Sequence, residues 1–135
     1  MTEDNTHPEP WCVIANPTAG RHKVGRRWPS LERALRAALP VGEVILTQHR
    51  EQAIVLTAEA VKRGYRRFIA VGGDGTNHEV INGLMAQQEA PPEALTYVLL
   101  PVGTGNDWIR TYGIPRDLPA WLDMVRAGRI YRQDI

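Results

Sequence analysis

One stretch, residues 68–79, constrains the fold of this chain more than any other. The apolar run 68–71 is typical of a short buried strand, and it ends at the glycine cluster 72–76, after which apolar residues recur at helical spacing. Glycines lack the Cβ atoms that keep a phosphate away from backbone N–H groups, and the following helix points the positive end of its dipole at the same place. This order of elements is therefore typical of a phosphate site.

Asp74, inside the glycine cluster, restricts the class of ligand that this turn could bind. A carboxylate among phosphate-facing amides would repel an anion unless a divalent cation lies between them, or unless the carboxylate orients a water or a hydroxyl. The combination favours a metal-nucleotide over a bare phosphate. The ordinary alternative is a tight turn between a strand and a helix. The P-loop triplet Gly-Lys-Ser/Thr does not occur, and the dinucleotide pattern GxGxxG fails at Gly72 and at Gly103.

Strand and helix patterns alternate along the chain. We predict strands at 11–15, 44–46 (a buried strand), 68–71 and 95–100, with a last one at 130–135. We predict helices from Trp28 or Pro29 to Pro40, at 51–63, from the glycine turn to about Ala86, as a short helix capped by Asn106 or Asp107, and from near Asp117 to Gly128. The predicted fold is α/β, with a mostly parallel sheet and helices on both faces.

The turns after four predicted strands contain polar residues or glycines, and they begin near Asn16, Thr47, Gly72 and Gly103. Parallel α/β sheets bind their ligands in the crevice outside the carboxyl ends of the strands. Because all four turns leave carboxyl ends, we expect them to meet at one edge and to form one site.

Composition limits the function classes. Sixteen basic and fifteen acidic residues give a net charge of +1, so the total charge predicts no binding to nucleic acid or to an anionic membrane, although basic residues cluster locally at 21–27. The single cysteine, Cys12, excludes a disulfide framework and favours a reducing compartment. No segment is apolar enough for a signal peptide or a membrane span, which predicts a cytoplasmic protein. We expect residues 1–10 to be a disordered tail and 11–135 to be one nucleotide-binding domain.

Three blocks of the sequence resemble the catalytic domain of the diacylglycerol kinases. They are 16–20, 72–76 with Asn77 and Glu79 after it, and 101–107, and the resemblance covers roughly 11–135. More specifically, they are similar to bacterial lipid kinases related to sphingosine and ceramide kinases. The middle block is also shared with NAD kinases and, more loosely, with phosphofructokinases. The third block, with Thr104 and Asn106-Asp107, favours the lipid branch.

The resemblance implies that ATP and Mg²⁺ bind across the four loops. Asp74 and Asp107 match acidic positions near the phosphates, which implies catalytic roles for both and a metal contact for Asp74. Glu79 has an ordinary alternative, because an acid in the first turn of a helix also stabilises the helix dipole. The implied nucleotide-binding positions are Asn16, Pro17, Thr18, Ala19, Gly20, Thr47, Gly72, Gly73, Asp74, Gly75, Thr76, Asn77, Glu79, Gly103, Thr104 and Gly105.

By this resemblance the chain is the nucleotide-binding half of a lipid kinase that transfers the γ-phosphate of ATP to the free hydroxyl of diacylglycerol or a related lipid. Family members carry a further β-rich domain that supplies the general base, and it would follow Ile135. The isolated half is therefore expected to be inactive. An NAD kinase-like enzyme and a non-catalytic nucleotide-binding or interaction domain remain alternatives. The identity of the lipid, peripheral contact with the inner face of the membrane and assembly as a homo-oligomer stay open.

Overall fold

The computed structural model of the protein describes residues 9–102 and 112–128, which form a parallel α/β structure. Among them are four strands and four α-helices, with a short 3₁₀ turn at Pro92–Ala94. The strands are β1 Trp11–Ala15, β2 Val41–Leu46, β3 Arg67–Gly72 and β4 Thr96–Pro101. The helices are α1 Ala19–Ala38, α2 Gln52–Lys62, α3 Asp74–Ala86 and α4 Leu118–Ala127. None of these helices is long and apolar enough to cross a membrane.

The sheet has the strand order β2-β1-β3-β4, and all neighbours are parallel. From β1 the chain passes to β2 on one side and then returns beyond β1 to β3 on the other. Because crossover connections between parallel strands are right-handed, the two opposite directions place α1 and α2 on opposite faces of the sheet. The strand order therefore reverses at β1, and the loops after β1 and β3 leave the sheet side by side.

Two apolar cores flank the sheet, as expected when both faces are covered. Along β1, Val13 and Ala15 pack toward α1 and α4, whereas Cys12 and Ile14 pack toward α2 and α3. Burial raises the pKa of the Cys12 thiol to about 12, so this cysteine behaves as a small apolar residue. The predicted α/β fold with helices on both faces is confirmed.

Helix α1 starts earlier than predicted. The predicted start at Trp28 or Pro29 is wrong, because helical structure continues through Pro29 from near the β1 loop. Val24 and Trp28 lie on the same buried face as Leu31 and Leu35. Burial of these two side chains favours the longer helix, although proline at position 29 removes one hydrogen bond.

Strand β2 is also different from its prediction. It begins at Val41 and lies at the edge of the described sheet, so its side chains are mostly half-buried and Leu46 is 43% exposed. The other helices and strands agree with their predictions to within a few residues, and Asp117 and Gly128 cap α4 as predicted. The short helix after Asn106 or Asp107, the strand 130–135 and most of the tail 1–10 fall outside the described residues.

Candidate functional site

An open cavity of about 410 Å³ lies at the carboxyl ends of β1 and β3, where the strand order reverses. This is the position at which open parallel sheets bind ligands. The cavity is formed by the loops after β1, β2 and β3 and by the first turns of α3. Its lining residues are Asn16, Thr18, Ala19, Gly20, Gln48, His49, Arg50, Gly73, Gly75, Thr76 and Glu79.

The β1 loop is held in place by its own hydrogen bonds. Asn16 Oδ1 accepts from the backbone N–H of Thr18 at 3.0 Å and from the Thr18 hydroxyl at 2.8 Å. The backbone N–H of Asn16 donates to the Val71 carbonyl at 3.3 Å, and that of Gly25 donates to the Pro17 carbonyl at 2.9 Å. The Asn16 side chain thus closes a local turn, and the Asn16 backbone attaches the loop to the end of β3. Together these bonds fix one wall of the cavity.

The segment directly after the β1 loop has a left-handed backbone conformation. Gly20, Arg21 and His22 have φ values of 63°, 57° and 68°. Glycine adopts this region freely, whereas arginine and histidine are strained there. A Cβ on Gly20 would also lie 3.4 Å from the Val102 carbonyl oxygen. The strained turn redirects the chain from the cavity wall into the regular part of α1.

The glycine cluster after β3 contains two kinds of glycine. A Cβ on Gly72 would lie 2.5 Å from Thr76 Oγ1 and 2.9 Å from Thr76 Cβ, whereas a Cβ on Gly75 would meet nothing within 4 Å. Gly72 is buried and Gly75 lines the cavity. Gly72 thus allows the first turn of α3 to pack on the strand end, and Gly75 leaves the cavity open.

Helix α3 begins at this cluster without a capping side chain. Gly73 is the N-cap, and among the described residues no side chain accepts a hydrogen bond from the first turn. The first N–H groups of a helix have no acceptor within the helix itself, and they carry the positive end of its dipole. Since Gly73, Gly75 and Thr76 line the cavity, this end of α3 can hold an anionic group there.

Thr47 and Asn77 lie beneath the cavity rather than in its lining. Thr47 is 7% exposed, and its backbone N–H donates to the Ala15 carbonyl at 2.9 Å. Asn77 is also 7% exposed, and its Oδ1 accepts from the Tyr97 hydroxyl at 2.5 Å. Burial raises the pKa of the Tyr97 phenol, so it remains a donor. No sequence pattern points to Tyr97, because a tyrosine in a strand is ordinary.

The loop after β2 forms a wall of the cavity that was not predicted from the sequence. Gln48, His49 and Arg50 line the cavity and are exposed. Their place directly after a predicted strand was the available signal, but the prediction stopped at Thr47. The Arg50 guanidinium makes no hydrogen bond or ion pair with the part of the chain that the structure describes. The cavity therefore contains an arginine in addition to the carboxylate of Glu79.

The predicted site residues divide into three groups. Eight line the cavity: Asn16, Thr18, Ala19, Gly20, Gly73, Gly75, Thr76 and Glu79. Five are adjacent to it or beneath it: Pro17, Thr47, Gly72, Asp74 and Asn77. Gly103, Thr104, Gly105 and Asp107 lie outside the described residues. Of the four loops predicted to meet, those after β1, β2 and β3 lie at one edge, and the loop that begins near Gly103 lies outside the described residues. The binding roles of their residues stay predictions.

Known proteins place the chain in a family. The model of the diacylglycerol kinase catalytic domain matches residues 10–135. The chain belongs to this family. A diacylglycerol kinase from Staphylococcus saprophyticus is 32% identical over 123 residues, which are 91% of this chain and 39% of that protein. The corresponding protein from Staphylococcus haemolyticus is 32% identical over 91% of this chain and 36% of its own length.

Solved structures agree with this assignment. A diacylglycerol kinase from Bacillus anthracis str. Sterne superposes with a TM-score of 0.73 at 28% identity, over 90% of this chain and 40% of that one. The chain thus spans about two fifths of the length of these relatives. The family resemblance predicted from the three sequence blocks is confirmed.

Proposed function

We propose that the chain forms the nucleotide-binding part of an ATP-dependent lipid kinase. In this proposal the cavity between β1 and β3 holds the phosphates of ATP. The γ-phosphate is transferred to the hydroxyl of diacylglycerol or a related lipid, with residues outside the described part completing the site. Phosphoryl transfer depends mainly on positioning and charge neutralisation, which backbone amides, hydroxyls and a cation can supply.

The observation that carries the proposal is the uncapped start of α3 at the cavity. Its first turn offers backbone N–H groups, and the absence of a Cβ at Gly73 and Gly75 allows a phosphate to approach them closely. The hydroxyls of Thr18 and Thr76 belong to residues of the same lining. Together these groups favour an anionic ligand with several phosphate oxygens.

The described residues fit a Mg²⁺ ion that arrives with the nucleotide. They contain no cluster of three acidic, histidine or cysteine side chains that could hold a metal alone. Mg²⁺ in nucleotide sites usually keeps several waters and takes only one or two protein carboxylates besides the phosphates. Asp74 is exposed at the first position of α3, and Glu79 lies in the lining, so either carboxylate suits this role. When bound, the ion would neutralise phosphate charge.

The proposal is tested by thermal unfolding and calorimetric titration of the chain with Mg-ATP. A ligand at about 100 times its dissociation constant stabilises by roughly 2.7 kcal/mol, which raises Tm by roughly 8–10 °C in a domain of this size. The variant Gly75→Ala places a methyl group in the lining and should weaken Mg-ATP binding by about tenfold or more, equivalent to ~1.4 kcal/mol. His78→Ala, exposed on the same helix and outside the lining, is the matched control.

Two outcomes would contradict the proposal. If Mg-ATP binds equally well to Gly75→Ala and to His78→Ala, the cavity is not the nucleotide site. If NAD stabilises the chain more than Mg-ATP does, the NAD kinase-like alternative is favoured instead. We also expect the chain by itself to phosphorylate diacylglycerol poorly, because relatives of the family are more than twice as long. Robust lipid phosphorylation by residues 1–135 would refute that expectation.

A further inference from the structure

Beneath the candidate cavity, a hydrogen bond joins polar side chains from two different elements. Asn77 belongs to the first turn of α3, and Tyr97 is the second residue of β4. The Tyr97 hydroxyl donates to Asn77 Oδ1 at 2.5 Å. Asn77 is buried, and Tyr97 packs against an apolar core that includes Phe68 and Val80. The bond therefore lies in mainly apolar surroundings, where the loss of either partner leaves a polar group unsatisfied.

Tyr97 itself lies away from the cavity. In the sheet it pairs with Phe68, four residues before Pro101 at the carboxyl end of β4, and four residues of strand span about 13 Å. Tyr97 is also not among the residues that line the cavity. Its hydroxyl extends from this part of the sheet to the start of α3, so the hydrogen bond with Asn77 connects Tyr97 to the helix end that faces the cavity.

The backbone connects Asn77 to the cavity lining. The Asn77 N–H donates to the carbonyl of Gly73, the N-cap of α3, at 3.0 Å. Gly73, Gly75 and Thr76 line the cavity, and Thr76 directly precedes Asn77. Because the residues of one helical turn move together, a displacement of Asn77 also moves the N–H groups that face the cavity.

The two ends of α3 have separate anchors. In the last turn, a Cβ on Gly83 would lie 2.5 Å from the Ile54 carbonyl oxygen, so this end of α3 packs closely on α2. In the first turn, Asn77 is bound to Tyr97 of β4. Changes at the two anchors can therefore be compared within one helix.

We propose that Tyr97 is a positioning residue for the first turn of α3. Its hydroxyl fixes the Asn77 side chain, and the backbone of Asn77 then holds the cavity-facing N–H groups in the arrangement that receives a phosphate. A hydrogen bond within a core rigidifies the elements that it joins. The consequence for a nucleotide rests on the proposed function, whereas the effect on the helix end does not.

The hydrogen bond itself limits the size of the effect. The net contribution of such a bond corresponds to about three- to tenfold in an equilibrium constant. The variant Tyr97→Phe keeps the ring and removes only the hydroxyl, so it retains the packing of the core. We therefore expect Tyr97→Phe to weaken Mg-ATP binding by about three- to tenfold.

The first measurement needs no ligand. Amide hydrogen exchange is followed by NMR at the N–H groups of Asn77 and Gln87, which make backbone hydrogen bonds at the two ends of α3. In Tyr97→Phe, exchange at Asn77 should rise about three- to tenfold relative to exchange at Gln87. The control Leu84→Ala removes a buried side chain from the last turn of α3, and there exchange at Asn77 should not rise relative to Gln87.

Calorimetric titration with Mg-ATP measures the consequence for binding. Both variants are titrated at a temperature at which circular dichroism shows them to be folded, so that lower stability alone does not change the dissociation constant. Leu84→Ala should then bind Mg-ATP as the parent chain does, whereas Tyr97→Phe should bind more weakly. The variants Asn77→Leu and Asn77→Leu/Tyr97→Phe complete a double-mutant cycle. Because Tyr97 acts through Asn77, removal of its hydroxyl should have no further effect in the Asn77→Leu background.

Three results would overturn the inference. They are unchanged exchange at Asn77 relative to Gln87 in Tyr97→Phe, an equal loss of Mg-ATP affinity in Leu84→Ala, and additive losses in the double-mutant cycle. The proposed function fails separately. If the parent chain binds no Mg-ATP but Tyr97→Phe selectively loosens the first turn, the nucleotide function is wrong and Tyr97 still positions α3. If Mg-ATP binds equally to the parent chain and to Tyr97→Phe, the function stands and the role of Tyr97 is wrong.

Discussion

Two glycines of one turn should respond in opposite ways to the same substitution. A methyl group on Gly72 would lie 2.5 Å from Thr76 Oγ1 and 2.9 Å from Thr76 Cβ, distances at which atoms must move apart. Gly72 and Thr76 are both buried, and Thr76 lies in the first turn of α3, so little space is available for that movement. A methyl group on Gly75 would meet no atom within 4 Å. Gly75 also lies within α3, where alanine is the better helix former.

The expected magnitudes follow from this geometry. Adding a methyl group to a packed position usually costs about 1–3 kcal/mol, so Gly72→Ala should lower Tm by roughly 4–10 °C in a domain of this size. Gly75→Ala should leave Tm unchanged or raise it by up to roughly 3 °C, because alanine is up to about 1 kcal/mol more favourable than glycine in a helix. The two variants therefore differ in the sign of the change in stability.

Chemical denaturation and thermal unfolding of the ligand-free chain measure both effects. The double variant Gly72→Ala/Thr76→Ala tests the cause, since removal of the threonine hydroxyl and methyl should recover part of the loss. Equal destabilisation by Gly72→Ala and Gly75→Ala would refute the distinction between the two glycines. A loss at Gly72 that is unchanged in the Thr76→Ala background would show that the Thr76 hydroxyl and methyl groups are not its cause.

Four further predictions follow from other contacts. Tyr97→Phe leaves the buried Asn77 carbonyl without its 2.5 Å donor and should cost about 1–3 kcal/mol, measured by urea denaturation. Gly83→Ala places a Cβ 2.5 Å from a backbone oxygen of α2 and should destabilise by about 1–3 kcal/mol or more in the same assay. Arg50→Gln should weaken Mg-ATP binding about two- to fivefold in calorimetry while leaving Tm unchanged, because Arg50 is exposed in the lining. Burial raises the pKa of the Cys12 thiol to about 12 in the folded state, whereas the unfolded thiol ionises near its ordinary pKa of 9.0. The free energy of unfolding should therefore fall by up to about 1.4 kcal/mol per pH unit above pH 9, and this slope should be smaller in Cys12→Ala.

The architecture could be predicted because a chain in which strands and helices alternate can form only a few kinds of fold, chiefly parallel sheets covered by helices. Its errors have local causes. The helix before Pro40 is predicted to start at Trp28 or Pro29 because Ser30 can cap it and apolar residues recur at helical spacing from Leu31, but the buried side chains of Val24 and Trp28 extend the helix upstream. The edge position of β2 could not be predicted, since strand order is set by pairing between distant segments rather than by the residues of one strand.

The position of the candidate cavity could be predicted from the sequence, whereas its complete lining could not. A strand-end turn identifies which loops meet, because the carboxyl ends of parallel strands share an edge. It does not identify which side chain of a loop is directed into the cavity. Thr47 donates hydrogen bonds to the Ala15 carbonyl and lies beneath the cavity, whereas Gln48, His49 and Arg50 line it. Tyr97 contacts the site through its hydrogen bond to Asn77, and no local pattern connects positions twenty residues apart.

The different surroundings of Gly72 and Gly75 determine how variants of the glycine cluster should be interpreted. Gly72 supports the packing of α3, whose first turn offers the N–H groups of the proposed phosphate site, so Gly72→Ala can weaken nucleotide binding without any contact between Gly72 and the ligand. Gly75→Ala changes the lining while leaving the packing of the fold as it was. Loss of Mg-ATP binding therefore identifies a ligand contact only where Tm of the ligand-free chain is preserved. By that criterion Gly75 tests the cavity, whereas Gly72 tests the scaffold beneath it.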